Sequence, residues 1–312
     1  MTQRSQREYF DELIQRTQTY RRSEEFFESL KVVAALQAFS PFNAYLLKIQ
    51  RPLLRFAAPK EQWEKQFHRT VRTDVPAHPL VILWPFGPVT FVYDYADTVG
   101  EPLPQAVLEP FRSQGYITTK EWERLFRNCR RRGIVIKYMS ADPASAGWIE
   151  LWEDQPQAVP SNEDAKDKAK REEPPVRFQV MLNGNQDKTV QYATLLHELG
   201  HLACGHLGAS PSDDWPSRKI DSEIVREFEA ETVSYIVCNR LGIRTNSEAY
   251  LADYVRHHMY IPDEVSTYTI MTASGLIEEW TRKLGWPRKP RKAAAELRLQ
   301  AAREQQLREV GL

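Results

Sequence analysis

The chain has no surplus of charge: its 312 residues carry 42 lysines and arginines against 42 aspartates and glutamates. No global field draws it to a polyanion or a membrane surface, so partners have to be read from local patterns. Cysteine is scarce. Cys129, Cys204 and Cys238 are odd in number and far apart, which excludes a disulfide framework or a four-cysteine zinc site and agrees with a reducing compartment. Long apolar runs are also missing. No uninterrupted stretch approaches the roughly 20 residues that span a bilayer, and the polar start "MTQRSQREYFDELIQRTQTYRR" has no apolar segment of the signal-peptide kind. There are no internal repeats. These lacks predict a soluble, cytoplasmic protein without membrane contact, long enough for one large or two ordinary domains.

What is present is unevenly distributed. Residues 5 to 57 read as helical: "SEEFFESLKVVAALQAF" opens on a capping-type serine with Glu25 behind it, and "SPFNAYLLKIQRPLL" follows a break. The period then changes, and "PLVILWPFGPVTFVYDY" reads as two strands joined by a turn. A helix over "TTKEWERLFRNCRRRG", ended by Gly133, precedes the strands "IVIKYM" and "GWIELW". Residues 153–175 are charged and proline-flanked with almost no aliphatic content, and are expected to form a linker or exposed loop. One strand, "VRFQVML", and a turn then lead into helices near 187–206, 219–242, 246–258 and 263–284, before a basic, alanine-rich tail. The expectation is an α+β fold: a mixed N-terminal domain over 1–152, the linker, a mostly helical domain over 176–285 with a short sheet, and a helical tail over 286–312.

The stretch "ATLLHELGHLACGH" places two histidines and a glutamate within a helix that is otherwise small and apolar. His197 and His201, four residues apart, share one face, so both imidazoles can reach a common point. Glu198 lies about 100° round the helix, where it can flank a metal without binding it and take a proton from an activated water. This is the H-E-x-x-H arrangement of zinc hydrolases, with Gly200 allowing close packing beside the metal.

A catalytic zinc ion takes a third protein ligand. His206 falls about 140° from His201 on a continuous helix and is set aside. Downstream, "SEIVREFEAETVSYIVCNRLGI" places Glu223, Glu227 and Glu231 along one stripe. Glu227 followed four residues later by Glu231 resembles the gluzincin arrangement, in which one glutamate binds zinc and an acid one turn on hydrogen-bonds a ligand histidine. Glu223 is the reserve ligand, and Glu229, about 160° from Glu227, reads as surface. Cys204 reads as a small buried thiol. His257 or His258, closing a helix, could donate to a transition state, while Tyr192, Tyr235 and Tyr260 have nothing to support such a role.

These two segments resemble the ImmA/IrrE (DUF955) metallopeptidases and the similar peptidase domain of ArdC-type antirestriction proteins. The resemblance covers residues 176–285 and implies a zincin-like, gluzincin-type domain. In it His197, His201 and Glu227 hold Zn2+, Ala230 and Glu231 complete the E-x-x-A-[DEN] motif, and Glu198 is the general base. A weaker resemblance joins "FSPFNAYLLKIQRP" and "HPLVILWPFGPVTFVYDYADTVGEPLP" to the N-terminal ArdC-like domain that binds single-stranded DNA, although the glycine-containing basic tract usual there is missing. Candidate DNA contacts are Arg51, Arg55, Arg69, Arg72 and Arg130 to Arg132, with Phe42, Tyr45 and Trp63 for stacking. Aromatics at such spacings more often form core. Three functions remain open: a zinc endopeptidase acting on a restricted protein or peptide target, a single-stranded-DNA-binding antirestriction or accessory protein with a structural or vestigial metal site, and a zinc-stabilised scaffold.

Overall fold

The structure is a computed structural model that describes residues 21–73, 78–84, 87–103, 115, 117–142, 146–152, 176–209, 215–243, 245 and 247–281. The charged segment 153–175, the tail 286–312 and the residues before 21, expected to be helical, lie outside the described residues.

The fold is α+β. Helix α1 (Ser23–Ala35) is entered from Arg22, not capped by Ser23, because the chain begins to turn one residue earlier than the serine suggests; Ser23 itself is buried inside the first turn. Helix α2 (Pro41–Gln50) starts as its sequence dictates: Ser40 Oγ accepts the Asn43 N–H, and Pro41 sits where its missing N–H costs nothing. Residues 51–57 are not helical, since Pro52 leads into a turn and the short strand β1 (Ala57–Ala58). Helix α3 (Lys60–Gln66) and strand β2 (Arg69–Val71) follow.

The expected hairpin is formed by β3 (Leu80–Trp84) and β4 (Gly87–Asp94), antiparallel, with β1 on the other side of β4. Alternation decides its faces: Leu80, Ile82 and Val92 are buried, whereas Leu83, Val89 and Phe91 are exposed. The free edge of β3 is covered by two amides seven residues apart on α2. Asn43 both donates to and accepts from the Leu83 backbone, at 2.9 and 3.0 Å, and Gln50 does the same for Val81, at 2.7 and 2.8 Å. Each amide acts as a piece of neighbouring strand, which blocks edge-to-edge pairing. Strand β5 (Thr98–Gly100) pairs with β2.

Helix α4 (Thr119–Arg130) carries a full capping box between Thr118 and Glu121. It is followed by β6 (Ile134–Met139), β7 (Gly147–Leu151) and β8 (Phe178–Asn183), in the order β6-β8-β7, with β6 parallel and β7 antiparallel to β8. Among the described residues strand β7 is thus an edge. Four helices close the fold: α5 (Lys188–Ala203), α6 (Glu223–Arg240), α7 (Ser247–His257) and α8 (Thr267–Thr281). One continuous core takes in α1, α2 and the β3–β4 hairpin together with α5, α6 and α8. Among the described residues no helix is long and apolar enough to cross a membrane.

Helices α5 and α6 meet where Gly200 faces Ala230. A Cβ added at Gly200 would lie 3.0 Å from the Ala230 carbonyl oxygen and 3.1 Å from its Cα. Both neighbours are backbone and cannot rotate away. Gly200→Val is therefore expected to force the helices apart, destabilising the protein by about 1–3 kcal/mol and weakening metal binding; thermal melts and chelator competition would read both effects.

Candidate metal centre

The α5–α6 crossing brings three side chains to one point. His197 and His201 project from α5 with their Nε2 atoms 3.2 Å apart. Across from them Glu227 of α6 places Oε2 at 3.3 Å from His197 Nε2 and Oε1 at 3.2 Å from His201 Nε2. Two donors each about 2.05 Å from a tetrahedral centre lie about 3.3 Å apart, so the spacing suits a first-row divalent metal.

The outer nitrogens decide whether those inner atoms are free to bind. His197 Nδ1 lies 2.7 Å from Glu231 Oε2; a carboxylate only accepts, so one proton is held on Nδ1, and a metal that displaces the other from Nε2 meets a lone pair turned inward. His201 Nδ1 meets His206 Nδ1 at 3.1 Å, which leaves its Nε2 facing inward as well. Two imidazole Nε2 atoms and a carboxylate thus converge on one point, an arrangement that fits a cation once the Nε2 protons are displaced. Glu223, at the first position of α6, is exposed and stands outside this group.

Glu198 points beside the group. It is buried, 8% exposed, and the backbone N–H of Ile149 on β7 reaches its carboxylate. The opening in front is a cavity of about 1000 Å³, lined among others by Trp148, Ile149, Val190, Thr194, Arg226 and Ser234. Edge strand β7 forms one wall and α5 the floor.

The charge states follow from this crowding. Burial raises the Glu198 carboxyl pKa, and the nearby His197 and His201 offset part of the rise. Hydrogen bonds from both histidines hold Glu227 well below the usual carboxylate range. For His197, burial opposes the charged form, but Glu227 and Glu231 outweigh it and lift the metal-free imidazole to about 10. Since the folded pKa lies above the ordinary 6.5, this group stabilises the metal-free protein fully below pH 6.5 and ceases to do so as pH rises toward 10. Metal must displace that proton. Apparent metal affinity is therefore expected to climb with pH across the same window, by up to about tenfold per unit, while the melting temperature of metal-free protein falls. Chelator competition and melts across that window would check both signs.

Several expectations need correction. Glu229 is not surface but fully buried, because the chain after α5 folds back over it. Gly205, at φ +80°, makes the turn, and a Cβ there would run into the Pro216 carbonyl oxygen. The turn brings His206 Nε2 to 3.0 Å from Glu229 Oε2 and Arg218 Nη2 to 2.9 Å from Oε1. The helix ends at Ala203, so the angle assigned to His206 on a continuous helix does not apply. Gly205 was the available signal. Cys204 is buried beside His206 and Glu229, not at the first group. His257 and His258 are exposed and outside the cavity lining, and Tyr192, Tyr235 and Tyr260 do not line it either. The Ile149 contact had no sequence signal.

No family model and no curated protein matches this chain. Among solved structures it is similar to the antirestriction ArdC protein from the R388 plasmid. The Mn(II)-bound structure aligns at 17% identity over 78% of this chain and 85% of that chain, with a TM-score of 0.40. The metal-free structure aligns at 16% identity over 78% and 84%, with a TM-score of 0.39. The likeness to ImmA/IrrE peptidases rests on the "HELGH" and "EFEAE" segments themselves.

The candidate DNA contacts are mostly spent inside the fold. Tyr45 and Trp63 are both 0% exposed, and the Trp63 indole N–H donates to the Tyr93 carbonyl at 3.0 Å. Phe42 packs edge-on against Tyr268. Arg51 is paired with Asp94 and Asp97, and buried Arg69 donates to Thr98 and stacks on Tyr95. Arg132 lies over the Trp280 ring, while Arg55 is exposed.

Proposed function

We propose that this protein is a zinc-dependent peptidase acting on a restricted protein or peptide target. The observation that carries the reading is the pairing of three convergent donors, His197, His201 and Glu227, with a buried, non-ligating Glu198 at the floor of an open cavity. A divalent metal held there supplies Lewis-acid polarisation of a scissile carbonyl and lowers the pKa of water. Glu198 takes the proton of the attacking water and returns it to the leaving amine; its raised pKa moves it toward the range in which one carboxyl can do both. The Ile149 N–H orients that carboxylate, and Glu231 holds His197 in the tautomer that faces inward. An extended substrate can add to the free edge of β7, with selectivity from side chains such as exposed Trp148 and Val190.

The test has two stages. Elemental analysis should find about one metal per chain, lost in His197→Ala, His201→Ala and Glu227→Ala. Zinc-, manganese- and cobalt-loaded protein should then cleave members of a degenerate peptide library, read by mass spectrometry, in a chelator-sensitive way. Absence of cleavage with every metal would sink the peptidase reading.

A second reading, a single-stranded-DNA-binding antirestriction or accessory protein with a structural or vestigial metal site, is favoured by the outer face of the β3–β4 hairpin. There Leu83, Val89 and Phe91 are exposed, with Phe91 at 53%. An exposed aromatic on a sheet is a stacking platform for bases. This reading predicts salt-sensitive oligonucleotide binding that Phe91→Ala weakens and that Glu198→Gln leaves alone.

A further inference from the structure

The second cluster beside the metal centre, Cys204, His206 and Glu229, has ligand-type side chains within reach of one another. Its chemistry argues against a second metal. Glu229 is already neutralised by Arg218, which makes two hydrogen bonds to it, and its Oε1 also accepts the Ser266 N–H at 2.8 Å. A cation would have to displace a guanidinium that is itself only 8% exposed. The Cys204 thiol is kept protonated by burial and so is a poor ligand.

The hydrogen-bond directions give the cluster another role. Glu229 can only accept, so His206 carries its proton on Nε2 and donates to Oε2 across 3.0 Å. The His206 Nδ1 is then a bare acceptor, 3.1 Å from His201 Nδ1. In the metal-free protein His201 Nε2 faces an acceptor, Glu227 Oε1. Once Nε2 gives its lone pair to a metal instead, the neutral ring's one proton belongs on Nδ1 and is donated to His206. In that ligand state every member of the chain Arg218–Glu229–His206–His201 has one consistent protonation, and the His206 and Glu229 side chains are 2% and 0% exposed, so water does not compete.

Building on the reading of His197, His201 and Glu227 as metal ligands, we propose that His206 is a positioning residue. Held by Glu229 and Arg218, it accepts the Nδ1 proton of His201 and so fixes the ring in the tautomer and orientation that bind metal. The two ligand histidines are therefore oriented by different chemistry: His197 by a carboxylate directly, His201 by a neutral imidazole that passes on the influence of a buried carboxylate. The device also ties metal affinity to the loop that carries Arg218, whose backbone N–H donates to the Gly205 carbonyl at 3.0 Å.

The experiment is zinc affinity by chelator competition in the full chain, with metal-free melting temperatures alongside. Loss of an outer partner of a ligand histidine typically costs about 10- to 100-fold in metal affinity. His206→Leu, which fills the space but accepts nothing, should bind zinc more weakly by roughly that factor. His206→Asn, whose amide oxygen can accept from His201, should recover much of that loss although it cannot also reach Glu229. Equal affinities for wild type and His206→Leu would overturn the proposal while leaving the metal site intact; wild type that takes up no zinc would remove the metal site and the proposal with it. Should His206→Leu not fold, wild-type zinc-loaded protein still decides the matter by NMR. A through-hydrogen-bond nitrogen–nitrogen coupling between His201 Nδ1 and His206 Nδ1 is expected, and a proton found on His206 Nδ1 would refute the arrangement.

Discussion

Glu198→Gln is expected to retain one metal per chain while lowering peptide cleavage by roughly 10²- to 10⁴-fold, the usual worth of a positioned general base. The substitution keeps size and the Ile149 contact, since the amide oxygen can still accept that N–H. It removes only the ability to take a proton. Glu198 is not among the convergent donors, so metal content should not change. Full turnover by the Glu198→Gln variant would mean that another group accepts the proton, and the described lining has no obvious substitute: Glu227 and Glu231 are committed to the histidines. Loss of metal along with activity would instead place Glu198 in the coordination sphere.

The largest effect on stability is expected at Arg240. Its guanidinium pairs with Glu278 of α8 at 3.0 Å and donates to the carbonyls of Val33, Leu36, Gln37 and Phe39, the last at 2.6 Å. The arginine and glutamate side chains are 0% and 5% exposed. One side chain therefore satisfies the C-terminal carbonyls of α1 and the turn into α2 while tying both to α6 and α8. Arg240→Met leaves a buried carboxylate without this partner and strips several carbonyls of theirs, a change that costs about 3–5 kcal/mol and lowers Tm on the order of 10 °C. The double variant Arg240→Met with Glu278→Met should recover part of the loss, because it removes the stranded charge. A single-variant Tm within about 1 °C of wild type, less than 1 kcal/mol is worth at this size, would show that the clamp contributes little.

Much of the local structure was legible because it is encoded locally. The α4 capping box, Ser40 ahead of Pro41 and the alternation in "LVILW" and "VTFVYD" each depend on residues within one or two turns of each other. The donors were legible for the same reason: i,i+4 spacing on α5 and on α6 defines which side chains share a face before any packing is known. Glu229 was misread because its surroundings come from elsewhere. Helical phase correctly turns it away from Glu227, but phase says nothing about whether that side meets water, and Gly205, Arg218 and Ser266 cover it. Tyr45 and Trp63 invited a similar error, being aromatic beside basic residues yet wholly buried.

By itself, then, the sequence determined which groups could do chemistry: His197, Glu198 and His201 in one turn of helix, with Glu227 and Glu231 one turn apart on another. Tertiary structure alone decided that these turns face each other, through the close approach of Gly200 to Ala230. It also decided that Ile149 reaches Glu198 and that His206 closes on His201. The physical reason is one of range. Backbone periodicity is set by neighbours in sequence, whereas burial, protonation and ligand orientation depend on which distant segment comes to rest against a side chain, and no short-range pattern records that.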